Sequence, residues 1–186
     1  MRAMPARIPE LKPEEMSERQ KALQAAMAAA FRGPVQGPFP LWLRNPDVGA
    51  KAFEMVTALR DKTKVARPLR ELAILIAARR YRAQYPWAIH APLAKSAGLT
   101  DAVIEAIRIR ARPTFPSRDQ EAAYAALTEL VDTGRIADAT YAVAEAAIGR
   151  DNLLDLVCVA SFYVGLALML GAFEVPAPDG AQPLPA

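Results

Sequence analysis

The feature that most constrains the fold is an uncharged apolar run of eighteen residues from Leu156 to Phe173. Such a run reaches the lower length limit for a membrane-spanning helix, about eighteen residues. The flanks argue against that use, because Asp155 and Glu174 border the run, no Lys/Arg cluster lies beside it, and no second run of this length exists in the sequence. The sequence therefore predicts a helix that is apolar on all sides and packs in the core or between subunits, with no membrane partner.

A second wholly apolar segment, Leu72 to Ala78, lies inside a longer stretch with helical start and stop signals. No stretch shows the alternation of apolar and polar residues between Asn-Gly or Asp-Gly turns that is typical of hairpins. The sequence therefore predicts an all-α fold of about seven to eight helices. The chain has 186 residues, 53% of them hydrophobic, which is enough for one core. We expect a single helical domain over 1–174 and a Pro-rich, flexible, unpacked tail over 175–186.

Prolines, glycines and capping residues set the predicted helix boundaries. The predicted helices run over about 13–32, 46–62, 68–81, 86–97, 101–110, 118–133, 139–148 and 151–174, with a turn-rich loop over 33–40. The expected N-caps are Asn45, Thr100, Ser117 as part of a capping box with Gln120, and Asp138, and the expected C-terminal glycines are Gly33 and Gly98.

Charge and cysteine content exclude several classes of protein. The 23 basic and 20 acidic residues are scattered, without the basic block that follows a phosphate backbone, so we expect no nucleic-acid partner. The one cysteine, Cys158, cannot form an internal disulfide, and the first residues lack the apolar core of a secretory signal. We therefore expect a cytoplasmic protein, with Cys158 as a buried and inert thiol inside the apolar run.

The single histidine, His90, lies in the segment QYPWAIHAPLAKSAGLT. Trp87 lies one helical turn before it, so the two rings share a face. A histidine on an apolar face is either a core residue with satisfied hydrogen bonds or a catalyst. Pro92 removes a backbone hydrogen bond and should kink the helix near His90. The sequence leaves both interpretations of His90 open.

A second candidate is Glu71, in the first turn of the helix that contains the Leu72 to Ala78 segment. A carboxylate so placed is either desolvated and suited to proton transfer, or a complement to the helix dipole. Tyr81 and Tyr85 fall near the junction with the next helix, where each phenol either relays a proton or packs. A metal site would need a second histidine, and glycine-rich phosphate loops and nucleophile elbows are missing, so we expect no metal and no cofactor.

Five residues together form a pattern that is similar to the carboxymuconolactone decarboxylase and alkylhydroperoxidase D superfamily. They are Glu71, then His90 nineteen residues later, then Ala94, Gly98 and Leu99. The resemblance extends more loosely over about residues 37–173. It implies an all-helical fold that assembles as trimers or hexamers, with the glutamate and the histidine facing each other in a pocket near a subunit boundary.

The chain also departs from two branches of that superfamily. The peroxidase branch carries a Cys-x-x-Cys pair before the histidine, where this chain has Ala83 and Pro86. A dithiol relay needs an attacking and a resolving thiol. The decarboxylase branch carries a small residue at the position of Glu71 and a glutamate at the position of Pro86. The chain therefore resembles a cysteine-less subgroup.

The resemblance implies an enzyme that performs cofactor-independent acid–base chemistry, of decarboxylase, lyase or isomerase type, on a small carboxylated or lactone-like molecule. Glu71 would accept or donate the proton, His90 would be its partner or would stabilise an enolate-like intermediate, and Tyr85 would be a relay. Trp87 would form the pocket wall and Tyr81 would contact the substrate. The alternatives are a peroxidase, opposed by the missing thiols, and a non-catalytic oligomeric binding protein.

Overall fold

The computed structural model describes residues 6–31 and 33–185, and all regular secondary structure in these residues is helical. This part of the chain holds nine α-helices, and α2 is the only one shorter than seven residues. The all-α prediction is confirmed. A short 3-10 turn over Pro13–Glu15 precedes them, and the helices are α1 (Glu18–Phe31), α2 (Phe39–Arg44), α3 (Pro46–Asp61), α4 (Arg67–Arg80), α5 (Gln84–Ala97), α6 (Asp101–Arg108), α7 (Arg118–Thr133), α8 (Asp138–Ile148) and α9 (Arg150–Ala172).

Helix α4 is the centre of the fold and packs against α5, α7 and α9. Each residue from Leu72 to Ala78 is 6% exposed or less, so the predicted burial of this segment on all sides is confirmed. Because α5 and α9 both pack against α4, side chains from the three helices meet at the amino-terminal half of α4. That meeting point contains the candidate site.

Helix α9 is long and apolar enough to cross a membrane, but 44% of its most apolar eighteen-residue window is buried inside this chain. Its outer face is exposed, with Leu154 at 62% and Leu168 at 54%. Cys158 also lies on this exposed face, so the prediction of a buried thiol is wrong. The residues of the inner face are Leu153, Leu156, Val159, Ala160, Tyr163, Leu166, Ala167 and Leu170.

Three predicted helix ends form as the sequence indicates. The Asn45 side chain accepts a hydrogen bond from the Val48 N–H at 3.3 Å and starts α3. The Thr100 hydroxyl accepts from the Val103 N–H, also at 3.3 Å, and starts α6. Gly98 ends α5 in the left-handed conformation, with φ of 109°, which a residue with a side chain rarely adopts.

The predicted helix over 13–32 is divided in the structure, and its last residue lies outside the described ranges. Helix α1 begins only after Ser17, whose hydroxyl accepts from the Gln20 N–H while the Gln20 side chain accepts from the Ser17 N–H at 2.8 Å. This reciprocal pair is a capping box, and it starts α1 after the 3-10 turn. Helix α2 begins inside the predicted loop over 33–40.

Other predicted helix starts differ in detail. The Ser117 hydroxyl is buried without a partner, so the predicted capping box with Gln120 is wrong, although α7 does begin at the next residue. Asp138 is the first residue of α8 and complements the helix dipole there, while Ala137 takes the N-cap position. Helix α5 begins at Gln84, before Pro86.

The Pro-rich tail packs against the helices, which corrects the expectation that it would not pack. Leu184 is only 5% exposed, and its N–H donates to the Gln84 side-chain oxygen at 2.8 Å. The Gln84 amide in turn donates to the Leu184 carbonyl at 3.4 Å. One side chain thus satisfies both backbone groups of Leu184 and holds this segment beside the start of α5.

Candidate active site

Glu71 and His90 are in direct contact between α4 and α5. Glu71 Oε2 lies 2.8 Å from His90 Nδ1, and Glu71 is 4% exposed. An ionised carboxylate only accepts hydrogen bonds, so this contact places the proton of a neutral imidazole on Nδ1. The same contact leaves Nε2 as a proton acceptor on the opposite side of the ring.

Tyr163 of α9 continues this chain of hydrogen bonds. Its hydroxyl lies 3.2 Å from His90 Nε2, and the two rings meet edge to face with centroids 5.1 Å apart. Tyr163 is 8% exposed, and burial, together with the negative charge of Glu71, raises the pKa of its phenol. The phenol is therefore protonated at neutral pH and donates to Nε2, which completes a Glu71–His90–Tyr163 relay across three helices.

Tyr163 lies within the long apolar run and was not among the predicted site residues. The contact with His90 spans 73 residues, so no local spacing indicates it. One signal was present: a tyrosine on the buried face of an apolar helix must find a hydrogen-bond partner for its hydroxyl. The single histidine of the chain was a natural candidate for that partner.

Two cavities meet at His90 and Tyr163, with volumes of about 270 Å³ and about 170 Å³. The larger cavity is mainly aromatic and apolar, whereas the smaller one also reaches charged side chains. Both are lined by Phe31, Val56, Ile89, His90 and Tyr163; the larger adds Phe39, Trp42, Tyr85 and Leu166 among others, and the smaller adds Arg60, Arg70 and Glu71 among others.

The two arginines of the smaller cavity are held by local contacts. The Arg60 guanidinium pairs with Asp61 at 2.8 Å and lies 4.6 Å from the centre of the Phe31 ring. Arg70 donates to the Arg60 carbonyl at 2.7 Å. These contacts hold two positive charges at the smaller cavity, which Glu71 also lines. Over residues 6–31 and 33–185, no group of three or more His, Cys, Asp or Glu side chains is placed to hold a metal ion.

Tyr85 lines the larger cavity together with His90. Burial raises the pKa of its phenol. Its ring lies directly over Gly37, which has a left-handed backbone with φ of 64°, and a Cβ at that position would lie 2.7 Å from Tyr85 Cδ1. Gly37 therefore makes room for the ring, and Tyr85 also lines an outer groove.

The other two predicted site residues lie elsewhere. Trp87 is 4% exposed and packs in the core, outside the lining of both cavities, and the indole that lines the larger cavity belongs to Trp42. Tyr81 is 37% exposed at the end of α4 beside Arg80 and lines neither cavity. The structure thus brings Glu71, His90 and Tyr85 together around the two cavities. The predictions that Trp87 forms the pocket wall and that Tyr81 contacts the substrate are not supported.

The sequence matches no known family model and no curated protein, but several solved structures, including the following three, share its architecture. An alkylhydroperoxidase AhpD core protein from Ralstonia eutropha, described as an uncharacterized peroxidase-related protein, aligns with a TM-score of 0.78 over 95% of each chain at 14% identity. A debrominase in complex with 2,3,4-tribromopyrrole aligns with a TM-score of 0.74 over 96% of this chain and 95% of its own at 10% identity.

The third is a protein of unknown function from Agrobacterium tumefaciens, suggested to be the antioxidant defence protein AhpD. It aligns with a TM-score of 0.63 over 73% of this chain and 93% of its own, at 14% identity. These similarities concern the fold. They confirm the architecture that the Glu71 to Leu99 pattern implied, and the chain has the alkylhydroperoxidase D-like helical fold.

Proposed function

We propose that the protein is an enzyme that performs cofactor-independent acid–base chemistry on a small molecule bound beside His90. The observation that carries this proposal is the Glu71–His90–Tyr163 relay, which is buried at the Glu71 end and reaches two cavities at His90 and Tyr163. If these three side chains had only a structural role, they would need to form hydrogen bonds with one another, but they would not need to line a cavity.

The geometry supports a division of roles within the relay. His90 Nε2 is the base that takes a proton from a carbon next to a substrate carbonyl. Glu71 holds the Nδ1 proton and stabilises the imidazolium that forms. The Tyr163 hydroxyl, released from Nε2, donates to the developing enolate oxygen. Return of the proton from Nε2 to another carbon completes an isomerisation. In a decarboxylation no proton is removed from carbon: CO2 leaves, the electron pair of the broken C–C bond forms the enolate, and His90, protonated on Nε2 from water, delivers one proton to carbon.

The lining of the cavities supports a small, mainly apolar substrate with one acidic or lactone group. The larger cavity, about 270 Å³, offers aromatic walls from Phe39, Trp42 and Tyr85 to a planar ring. Arg60 and Arg70, at the smaller cavity, supply positive charge for a carboxylate. The debrominase with the same fold is in complex with 2,3,4-tribromopyrrole, a small ring, which is consistent with a small-molecule substrate for this fold.

The peroxidase alternative has less support. The chain has one cysteine, and Cys158 lies on the exposed face of α9, whereas Tyr163 lies on the inner face of that helix. The two positions of the peroxidase thiols are the buried residues Ala83 and Pro86. Dithiol turnover of a hydroperoxide is therefore not expected, and Cys158→Ala should change no activity of the protein.

The proposal is tested by deuterium incorporation from D2O into unsaturated lactones, β-keto acids and small aromatic carboxylates, followed by NMR. Wild type should exchange or convert at least one compound, and His90→Asn should remove this activity. Tyr81→Phe is the matched control, because Tyr81 lines neither cavity, and it should keep the activity. Equal rates for wild type and His90→Asn would contradict the proposal and would favour a non-catalytic binding protein.

A further inference from the structure

A third cavity, of about 450 Å³, lies between the carboxyl-terminal half of α4, the end of α6 and α7. It shares no lining residue with the two cavities at His90. Its lining combines three arginines with apolar and hydroxyl side chains, and consists of Ile76, Arg79, Arg80, Ile107, Arg110, Tyr124, Thr128, Val131 and Asp132.

Arg79 is the unusual residue of this cavity. It is only 4% exposed, and its Nε and one terminal nitrogen are buried without a hydrogen-bond partner. A guanidinium keeps its charge in proteins and has only donors to offer. A buried charge is normally paired, since burial without a partner is strongly unfavourable. Arg79 therefore lacks the acceptor that such a position requires.

The neighbouring acids are already paired with other arginines. Asp132 contacts Arg80 at 2.6 Å, and Glu105 contacts Arg108 at 2.7 Å. Burial, followed by the positive charges of Arg110, Arg82 and Arg108, lowers the pKa of Arg79. The carboxyl-terminal dipole of α4 offsets part of this charge, but it supplies no acceptor to the two unpaired nitrogens.

A second unpaired donor lies in the same cavity. The Thr128 hydroxyl oxygen is buried and has no hydrogen-bond partner. Arg79 and Thr128 come from different helices, α4 and α7, and both line the one cavity. Two buried donors that lack acceptors in one cavity are typical of a site for an oxyanion.

We propose that this cavity binds a small organic anion, whose carboxylate or phosphate group accepts hydrogen bonds from Arg79 and Thr128. The apolar remainder of the ligand lies against Ile76, Ile107 and Tyr124. The site is separate from the proposed chemistry: Arg79 follows Glu71 by eight positions on α4, about 12 Å along the helix axis. The proposal does not depend on the proposed function.

Calorimetry and thermal unfolding at constant ionic strength test this site with inorganic phosphate, phenyl phosphate and benzoate. At least one probe should bind saturably and raise the melting temperature with its concentration. Preference for phenyl phosphate identifies a phosphate site, and preference for benzoate a carboxylate site. Arg79→Met should weaken binding at least about tenfold, as expected for loss of a charged hydrogen-bond pair. The exposed Arg135→Met is the matched control and should bind as wild type does.

Two further observations keep the test decisive. Thr128→Val keeps the side-chain shape without the hydroxyl, and it should weaken binding by a smaller factor than Arg79→Met. Without any anion, Arg79→Met should melt no lower than wild type, because it removes a buried charge that has no partner. The proposal is overturned if no probe binds saturably, if Arg79→Met binds like wild type, or if that variant instead loses stability or assembly without ligand.

Discussion

Replacement of Tyr163 by phenylalanine separates the hydroxyl of the relay from the packing of the ring. The hydroxyl donates to His90 Nε2 at 3.2 Å, and the residue is 8% exposed. At neutral pH the change removes one net hydrogen bond, which should lower the free energy of unfolding by about 0.5–1.5 kcal/mol. The ring stays in place, so no cavity term is added.

The same substitution should have the opposite effect at high pH. An unfolded tyrosine loses its proton near pH 10, whereas the raised pKa of the folded Tyr163 phenol keeps its proton bound above that pH. Above about pH 10 the unfolded state thus binds fewer protons than the folded state, and stability falls as the pH rises. The loss from this one group is at most about 1.4 kcal/mol by pH 11, one pH unit above the pKa of the unfolded tyrosine. Tyr163→Phe does not have this loss.

Urea unfolding of wild type and Tyr163→Phe between pH 7 and pH 11 measures both effects. The stability deficit of the variant should shrink or change sign above pH 10, and other groups that titrate there cancel in the difference. Tyr81→Phe is the control, since it keeps Tyr163 and therefore keeps the alkaline loss. Two parallel curves for wild type and Tyr163→Phe over the whole range would refute the buried, protonated phenol.

Four further substitutions test the site, the packing and the assembly. Glu71→Gln and His90→Asn should each lower turnover about 100-fold or more, and each should also lower the free energy of unfolding by about 1–3 kcal/mol, because a buried hydrogen-bond partner is lost; the same loss of stability with turnover like that of wild type would indicate a structural pair. Gly49→Ala should lower the free energy of unfolding in urea by about 1–3 kcal/mol, because the alanine Cβ would lie 2.7 Å from the Trp42 carbonyl carbon. An unchanged free energy of unfolding would contradict that packing. We propose that the exposed apolar face of α9 contacts a second copy of the chain. Light scattering should then show that Gly165→Leu dissociates or aggregates the assembly. A stable wild-type monomer of 20.1 kDa would contradict this interface.

Local features could be predicted from the sequence where the groups that interact lie within one turn. Asn45 and Thr100 each bond to a backbone N–H three residues on, and Gly98 needs only its own backbone freedom. The Glu71 and His90 pair was found through the resemblance, and the structure places the two side chains 2.8 Å apart.

The other features of the site depend on how each helix is rotated about its axis and packed against its neighbours, which the sequence pattern does not specify. The run in α9 has no charged residue, so it has no polar face to show that Cys158 points outward and Tyr163 inward. The indole at the cavity was assigned to Trp87 because it lies near His90 in sequence. Trp42 takes that place because α2 begins inside the predicted loop and continues to Arg44, where no helix was predicted.

Nitrogen-15 NMR of the His90 ring tests the relay most directly, because the chain contains one histidine and its imidazole signals need no assignment. At a pH where the ring is neutral, the relay predicts a single tautomer, with the proton on Nδ1 toward Glu71 and with Nε2 accepting from Tyr163. Tyr163→Phe should shift the Nε2 signal and leave Nδ1 protonated. A neutral ring with its proton on Nε2, or a rapid average of both tautomers, would contradict the relay on which the proposed chemistry depends.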